Sequence, residues 1–100
     1  MKDKKIPPHK EAAFKDICEK YKGNAAKQQC LRLLAALNLF NLNTYEASRG
    51  LSIYHPPARM MQLRRQGNHI DTAWEIIEDE NGNKHRVGCY VLQRQALEGV

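Results

Sequence analysis

The stretch Thr44–Gly67, TYEASRGLSIYHPPARMMQLRRQG, decides the reading of this chain. Thr44 is a candidate N-cap with the run YEASRGL behind it, which predicts a short helix. Ser52, Ile53, Tyr54 and His55 form a brief connection. Pro56-Pro57 then opens a second helix, because a proline in the first turn loses no intrahelical hydrogen bond. Gly67 stands just past Gln66, where a left-handed C-terminal cap is wanted. Within the second helix Pro56, Met60 and Leu63 share one stripe and are expected inside. Ala58, Met61, Gln62 and Arg65 are then expected outside, with Arg59 and Arg64 on the flanks.

Outward from this stretch, the N-terminal side predicts two further helices. His9 to Lys22 places Ala13, Phe14, Ile17, Cys18 and Tyr21 on one amphipathic face ending at Gly23. Asn24 is expected to cap a stronger helix through Phe40, with Cys30, Leu33, Leu34, Leu37 and Phe40 on one broad face. Residues 1–8, lysine-rich and carrying Pro7-Pro8, are expected to be a mobile arm. Asn41 to Asn43 can form a short link or strand. Tyr45, Ala47, Ser48 and Leu51 are expected to face inward, with Ile53 plugging the turn.

On the C-terminal side the period changes to two. Ile70, Thr72, Trp74 and Ile76 alternate with Asp71, Ala73, Glu75 and Ile77, and Asn81-Gly82 signals a hairpin with a two-residue loop. That loop would pair Asp79 with Lys84, Ile76 with Val87, Trp74 with Cys89 and Thr72 with Val91. Trp74 would then be core, and Tyr90, Ile77 and Leu92 would lie exposed on the outer face. Residues 93–100 read as a frayed tail.

One hundred residues, 42% hydrophobic and 27% charged, suit one globular domain. No run is long enough for a membrane span and MKDKKIPPHK has no apolar signal core, so a cytoplasmic protein without a membrane partner is expected. Cys18, Cys30 and Cys89 are irregularly spaced and expected to be reduced thiols. The net charge of +5 is unevenly spread. Residues 1–27 hold eight lysines against four carboxylates, and residues 28–69 hold five arginines against one. Residues 70–100 reverse this, with three basic residues against six acidic ones. A basic body suits a phosphate-rich partner.

The order of helices, tight turn, helix and hairpin is that of a winged helix-turn-helix. Gln28 to Leu92 resembles the small winged helix-turn-helix domains common in phage and bacterial proteins of unknown function. The resemblance is carried by RLLAAL at Arg32–Leu37, TYEAS at Thr44–Ser48, GLSI at Gly50–Ile53, PPARMMQLRRQG at Pro56–Gly67 and HRVGCYVL at His85–Leu92. It implies an α+β, mainly helical fold, a three-helix core with a hairpin wing; the domain is expected over 24–92, extended by the helix at 9–23, which lies outside the resemblance. It also implies a sequence-specific binder of double-stranded DNA, a phage-type or bacterial transcriptional regulator.

On this reading the Pro56–Gln66 helix enters the major groove. Gln62 and Arg65 reach base edges, Ala58 and Met61 touch thymine methyls, and Ser52, Tyr54 and His55 meet phosphates through hydroxyls and backbone N–H groups. Arg49, Arg59 and Arg64 would hold the backbone. Lys84, His85 and Arg86 of the hairpin are weaker candidates, opposed by Glu75, Glu78, Asp79 and Glu80. Palindromic sites would require a homodimer. The competing expectation is a protein-interaction module that keeps the fold but binds no DNA, favoured by the acidic hairpin. His9, His55, His69 and His85 with the cysteines show no metal-ligand spacing. No phosphate loop or nucleophile motif is present either, so no metal, cofactor or enzymatic activity is expected.

Overall fold

The computed structural model describes residues 6–93. Helices α1 (Pro8–Lys20) and α2 (Ala26–Leu37) precede a short strand, β1 (Leu42–Asn43). A π-helical turn (Glu46–Gly50), helix α3 (Pro56–Arg65) and strands β2 (Ile70–Glu78) and β3 (Lys84–Leu92) follow. The strands form one antiparallel sheet in the order β1-β3-β2. The core gathers Phe14 from α1, Leu33 and Leu37 from α2, Leu42, Leu51, Ile53, Met60 and Leu63, with Ile70 and Tyr90 closing it from the sheet. Met60 and Leu63 point inward with Pro56, as their spacing predicts.

The start of the helix-turn unit differs from expectation. Asn43, not Thr44, caps it: Asn43 Oδ1 accepts the Glu46 N–H at 2.7 Å, and the Glu46 carboxylate accepts the Asn43 N–H at 3.1 Å. This is a reciprocal capping box with an asparagine cap. Thr44 Oγ1 lies 3.4 Å from both Gly88 O and Tyr90 Oη, tying the turn to β3 instead. Asn24 likewise caps nothing with its side chain. Helix α2 starts after Ala25, and Asn24 O accepts from Gln29 Nε2 at 2.7 Å. The same helix stops at Leu37, short of Phe40, whose ring turns to meet Phe14 edge-on at 6.0 Å.

The end of α3 is as its glycine predicts. Gly67, at φ +101°, donates to Arg64 O while Asn68 N–H reaches back to Leu63 O, the paired bonds of a Schellman cap.

The hairpin register is shifted by one residue. Glu78 pairs with Lys84, Ile76 with Arg86, Trp74 with Gly88 and Thr72 with Tyr90. The cause is the loop. The Gly82 N–H returns to Asp79 O and the Asp79 N–H to Asn83 O, with Gly82 at φ +84°. This is a three-residue loop ending in a left-handed glycine, not a two-residue one. The Asp79 carboxylate enforces it by accepting the Asn81 and Asn83 N–H groups, both at 2.9 Å. One residue of slip brings Tyr90 and Leu92 onto the face of β2 that carries Ile70 and Thr72. Tyr90 is accordingly buried rather than on an outer surface, while Trp74, on the same face but farther along the hairpin, is 59% exposed rather than core. Leu92 packs against the core as well, and Ile77 is half-buried.

The arm expected at 1–8 lies outside the described residues over 1–5. Ile6 packs against the core and Pro8 already belongs to α1. The tail expected at 93–100 lies outside them from residue 94. Gln93 is tied to His69 O and to the Asp71 carboxylate.

Candidate nucleic-acid interface

The turn that aims α3 is held from behind by α2. Arg32 is 3% exposed and spends its guanidinium on four carbonyls. They are Leu51 O at 2.8 Å, Ser52 O at 3.2 Å, Tyr21 O at 2.6 Å and Gly23 O at 2.8 Å. The turn is thereby joined to the loop between α1 and α2. A guanidinium suits this place because its fork of N–H groups satisfies several acceptors at fixed angles. Ser52 bends the chain through the left-handed region at φ 56°, and the Tyr54 N–H beyond it donates to Gln29 Oε1 at 3.2 Å.

Helix α3 then presents its outer face. His55, Pro57, Ala58, Arg59, Met61, Gln62 and Arg65 line one shallow depression. Met61 and Arg65 are exposed, while Ala58, Arg59 and Gln62 are half-buried. Gln62 looks partly inward, its Oε1 accepting the Cys30 thiol at 3.5 Å. Arg59 Nε is buried with no hydrogen-bond partner among the described residues. The chain has no Asp or Glu between Glu46 and Asp71, and Glu46 is paired with Lys10 at 3.1 Å. The depression is therefore positively charged with no carboxylate of its own segment beside it.

Several candidates are placed differently. Tyr54 (70% exposed), Ser52 and His55 stand at the entry to α3. Backbone N–H groups there are scarce. Pro56 and Pro57 have none, those of Ala58 and Arg59 return to His55 O, and that of Tyr54 is committed to Gln29. Phosphate binding through backbone N–H groups loses those donors, and the Ser52 and Tyr54 hydroxyls and the His55 imidazole stand at the same entry as side-chain donors. Arg64 braces the helix against β2, with Nε on Ile70 O at 2.9 Å and Nη2 on Thr72 Oγ1 at 3.0 Å. Arg49 is not gathered with the others. It stacks over the Tyr45 ring at 5.4 Å and lines a separate groove with Ile6, Pro8 and Lys15 of the N-terminal segment.

Lys84, His85 and Arg86 are exposed on the hairpin. Arg86 lies 4.5 Å over the Trp74 ring, and His85 Nε2 is 2.8 Å from Asp79 Oδ2. The expected Asp79–Lys84 pairing is thus replaced by Asp79–His85. The His85 hydrogen bond, with the Asn83 and Asn81 N–H groups, pulls the Asp79 carboxyl below its usual value. Pro57 was not among the sequence candidates, although its position beside Ala58 on the first turn signals it. Gln29 and Arg32 gave no signal, since polar residues on an otherwise apolar helix read as its solvent face.

The thiols of Cys18, Cys30 and Cys89 are all free, and burial raises each pKa. No three His, Cys, Asp or Glu side chains among the described residues converge as a metal site requires. Among the same residues no helix is long and apolar enough to cross a membrane.

Residues 28–95 match a family model described as a winged helix-turn-helix domain. No curated protein and no solved structure matches the chain.

Proposed function

The chain belongs to the winged helix-turn-helix domain family, and from that premise we propose that it binds double-stranded DNA through the outer face of α3. One observation carries this reading: a depression lined by Arg59, Arg65, Gln62 and His55, on a segment without acidic residues. Arg65 is exposed and can meet a guanine edge. Gln62 can meet adenine by exchanging its weak thiol contact for base hydrogen bonds. Arg59, half-buried in the same depression, brings its guanidinium charge to the phosphate backbone. Ser52, Tyr54 and His55 supply side-chain contacts to the backbone, and Met61 and Ala58 apolar contact with thymine.

The finer proposal is a non-enzymatic, phage-type or bacterial transcriptional regulator acting in the cytoplasm, where its DNA would be. Its support is the resemblance of the motif residues together with the DNA-reading face. Arg49, beside the N-terminal helix, and Arg64, braced on β2, are secondary phosphate candidates.

Fluorescence anisotropy with a labelled duplex tests the reading. Arg65→Ala should weaken specific binding by about 1–3 kcal/mol, and Arg59→Glu should weaken binding to any sequence. Unchanged affinity in the variant carrying both substitutions would sink it. A second, protein-binding surface is favoured by one observation: the exposed Trp74 and Ile76 on the acidic strand β2.

A further inference from the structure

Strand β2 is an edge of the sheet. The order β1-β3-β2 leaves one side of Ile70–Glu78 without a strand neighbour among the described residues. An open edge is a template for another strand, and proteins usually block it with proline, lysine or a bulge. β2 carries neither proline nor lysine, and its register with β3 runs unbroken from Ile70 to Glu78; Arg64 of α3 covers its Ile70–Thr72 end, and the open part begins at Trp74. Trp74 and Ile76, 59% and 61% exposed, share one face of this strand. Arg86 covers the Trp74 ring from β3 and still leaves it largely open.

The charge of the edge selects the partner. β2 holds Asp71, Glu75 and Glu78 and no basic residue. Glu78 faces Lys84 across the hairpin, and Asp71 is bonded to neutral Gln93 and to His69. Glu75 faces Val87, so no cross-strand cation answers it. DNA is repelled by this edge, and a second copy would bring three more carboxylates against it.

We propose that the free edge of β2 docks an extended protein segment that alternates apolar and basic residues. Successive side chains of a strand point to opposite faces. The apolar side chains of the incoming segment would therefore lie beside Trp74 and Ile76, and a basic one beside Glu75. Backbone hydrogen bonds along the edge would supply affinity and the alternating faces register. The stretch from Trp74 to Glu78 lies beyond the Arg64 bridge that ties Ile70 and Thr72 to α3, and the proposal does not depend on DNA binding.

The probe is a fluorescein-labelled nonapeptide alternating valine and lysine, titrated with the full chain at physiological salt. Saturable binding is expected, with new amide-exchange protection confined to β2. Methylating alternate backbone nitrogens of the peptide keeps its charge and blocks its donors, so affinity should fall by at least about tenfold. Glu75→Lys should reduce it similarly, and a glutamate-for-lysine peptide should not bind. Equal binding of the methylated peptide, protection elsewhere than β2, no effect of Glu75→Lys, or no binding would each overturn the proposal. So would protection of β2 that rises with protein concentration without peptide, which would assign the edge to a second copy.

Discussion

Arg32 is the residue on which the aim of α3 depends. It lies in the body of α2, yet its four carbonyl acceptors belong to the turn before α3 and to the loop after α1. Replacing it with methionine keeps the volume and strands those carbonyls. Arg32→Met should therefore lose about 3 kcal/mol or more in urea unfolding. Arg32→Lys should recover only part of this, because an ammonium cannot reproduce the guanidinium fork. A second prediction at this scale concerns Asp79. Its carboxyl is held below the ordinary value chiefly by the His85 hydrogen bond. A depressed folded pKa stabilises fully above the unfolded value, near ~3.9, and the stabilisation is lost as pH falls through the folded value. Wild type and Asp79→Asn should thus differ most near neutral pH and converge in acid. An NMR titration of the Asp79 carboxyl should give a midpoint below that ordinary value.

At the scale of elements, α1 is joined to the helix-turn-helix more closely than a leader would be. Lys10 bonds both oxygens of Glu46 and Asn41 O, so it secures the same carboxylate that caps the turn. Phe14 fills the space over Gly50, where an added Cβ would stand 2.5 Å from the ring. Gly50→Ala should cost about 1–3 kcal/mol by overpacking. Lys10→Ala and Glu46→Gln should be less than additive in a double-mutant cycle, since each removes the other's partner.

The helices and the inward stripe of α3 were legible because apolar spacing records which face is buried. Where competing local chemistry decided, the reading failed. Asn43 and Thr44 are both good caps, and only the contact of Thr44 with β3 separates them. Asn81-Gly82 reads as a two-residue turn until Asp79, whose side chain closes a longer loop, is counted. As a charge, Arg32 enters the sequence reading only as one of the five arginines of residues 28–69, because nothing local marks a buried arginine. The depression on α3 followed from helical angles, whereas the commitment of Arg64 and the withdrawal of Arg49 depend on tertiary neighbours.

On the scale of the whole molecule the charges divide by surface. The face of α3 is basic and unopposed, while β2 is acidic and carries the exposed Trp74 and Ile76. The two would serve different partners, DNA on one and an extended basic segment on the other. Counterion release makes the first of these directly measurable. Anisotropy of a labelled random duplex should be followed across a salt series with the wild-type chain. Each neutralised phosphate contributes about −0.9 to the slope of log affinity against log salt, so contacts through Arg59, Arg65 and their neighbours predict a slope of about −2 or steeper. A flat line, or no binding at the lowest salt, would contradict DNA binding by α3.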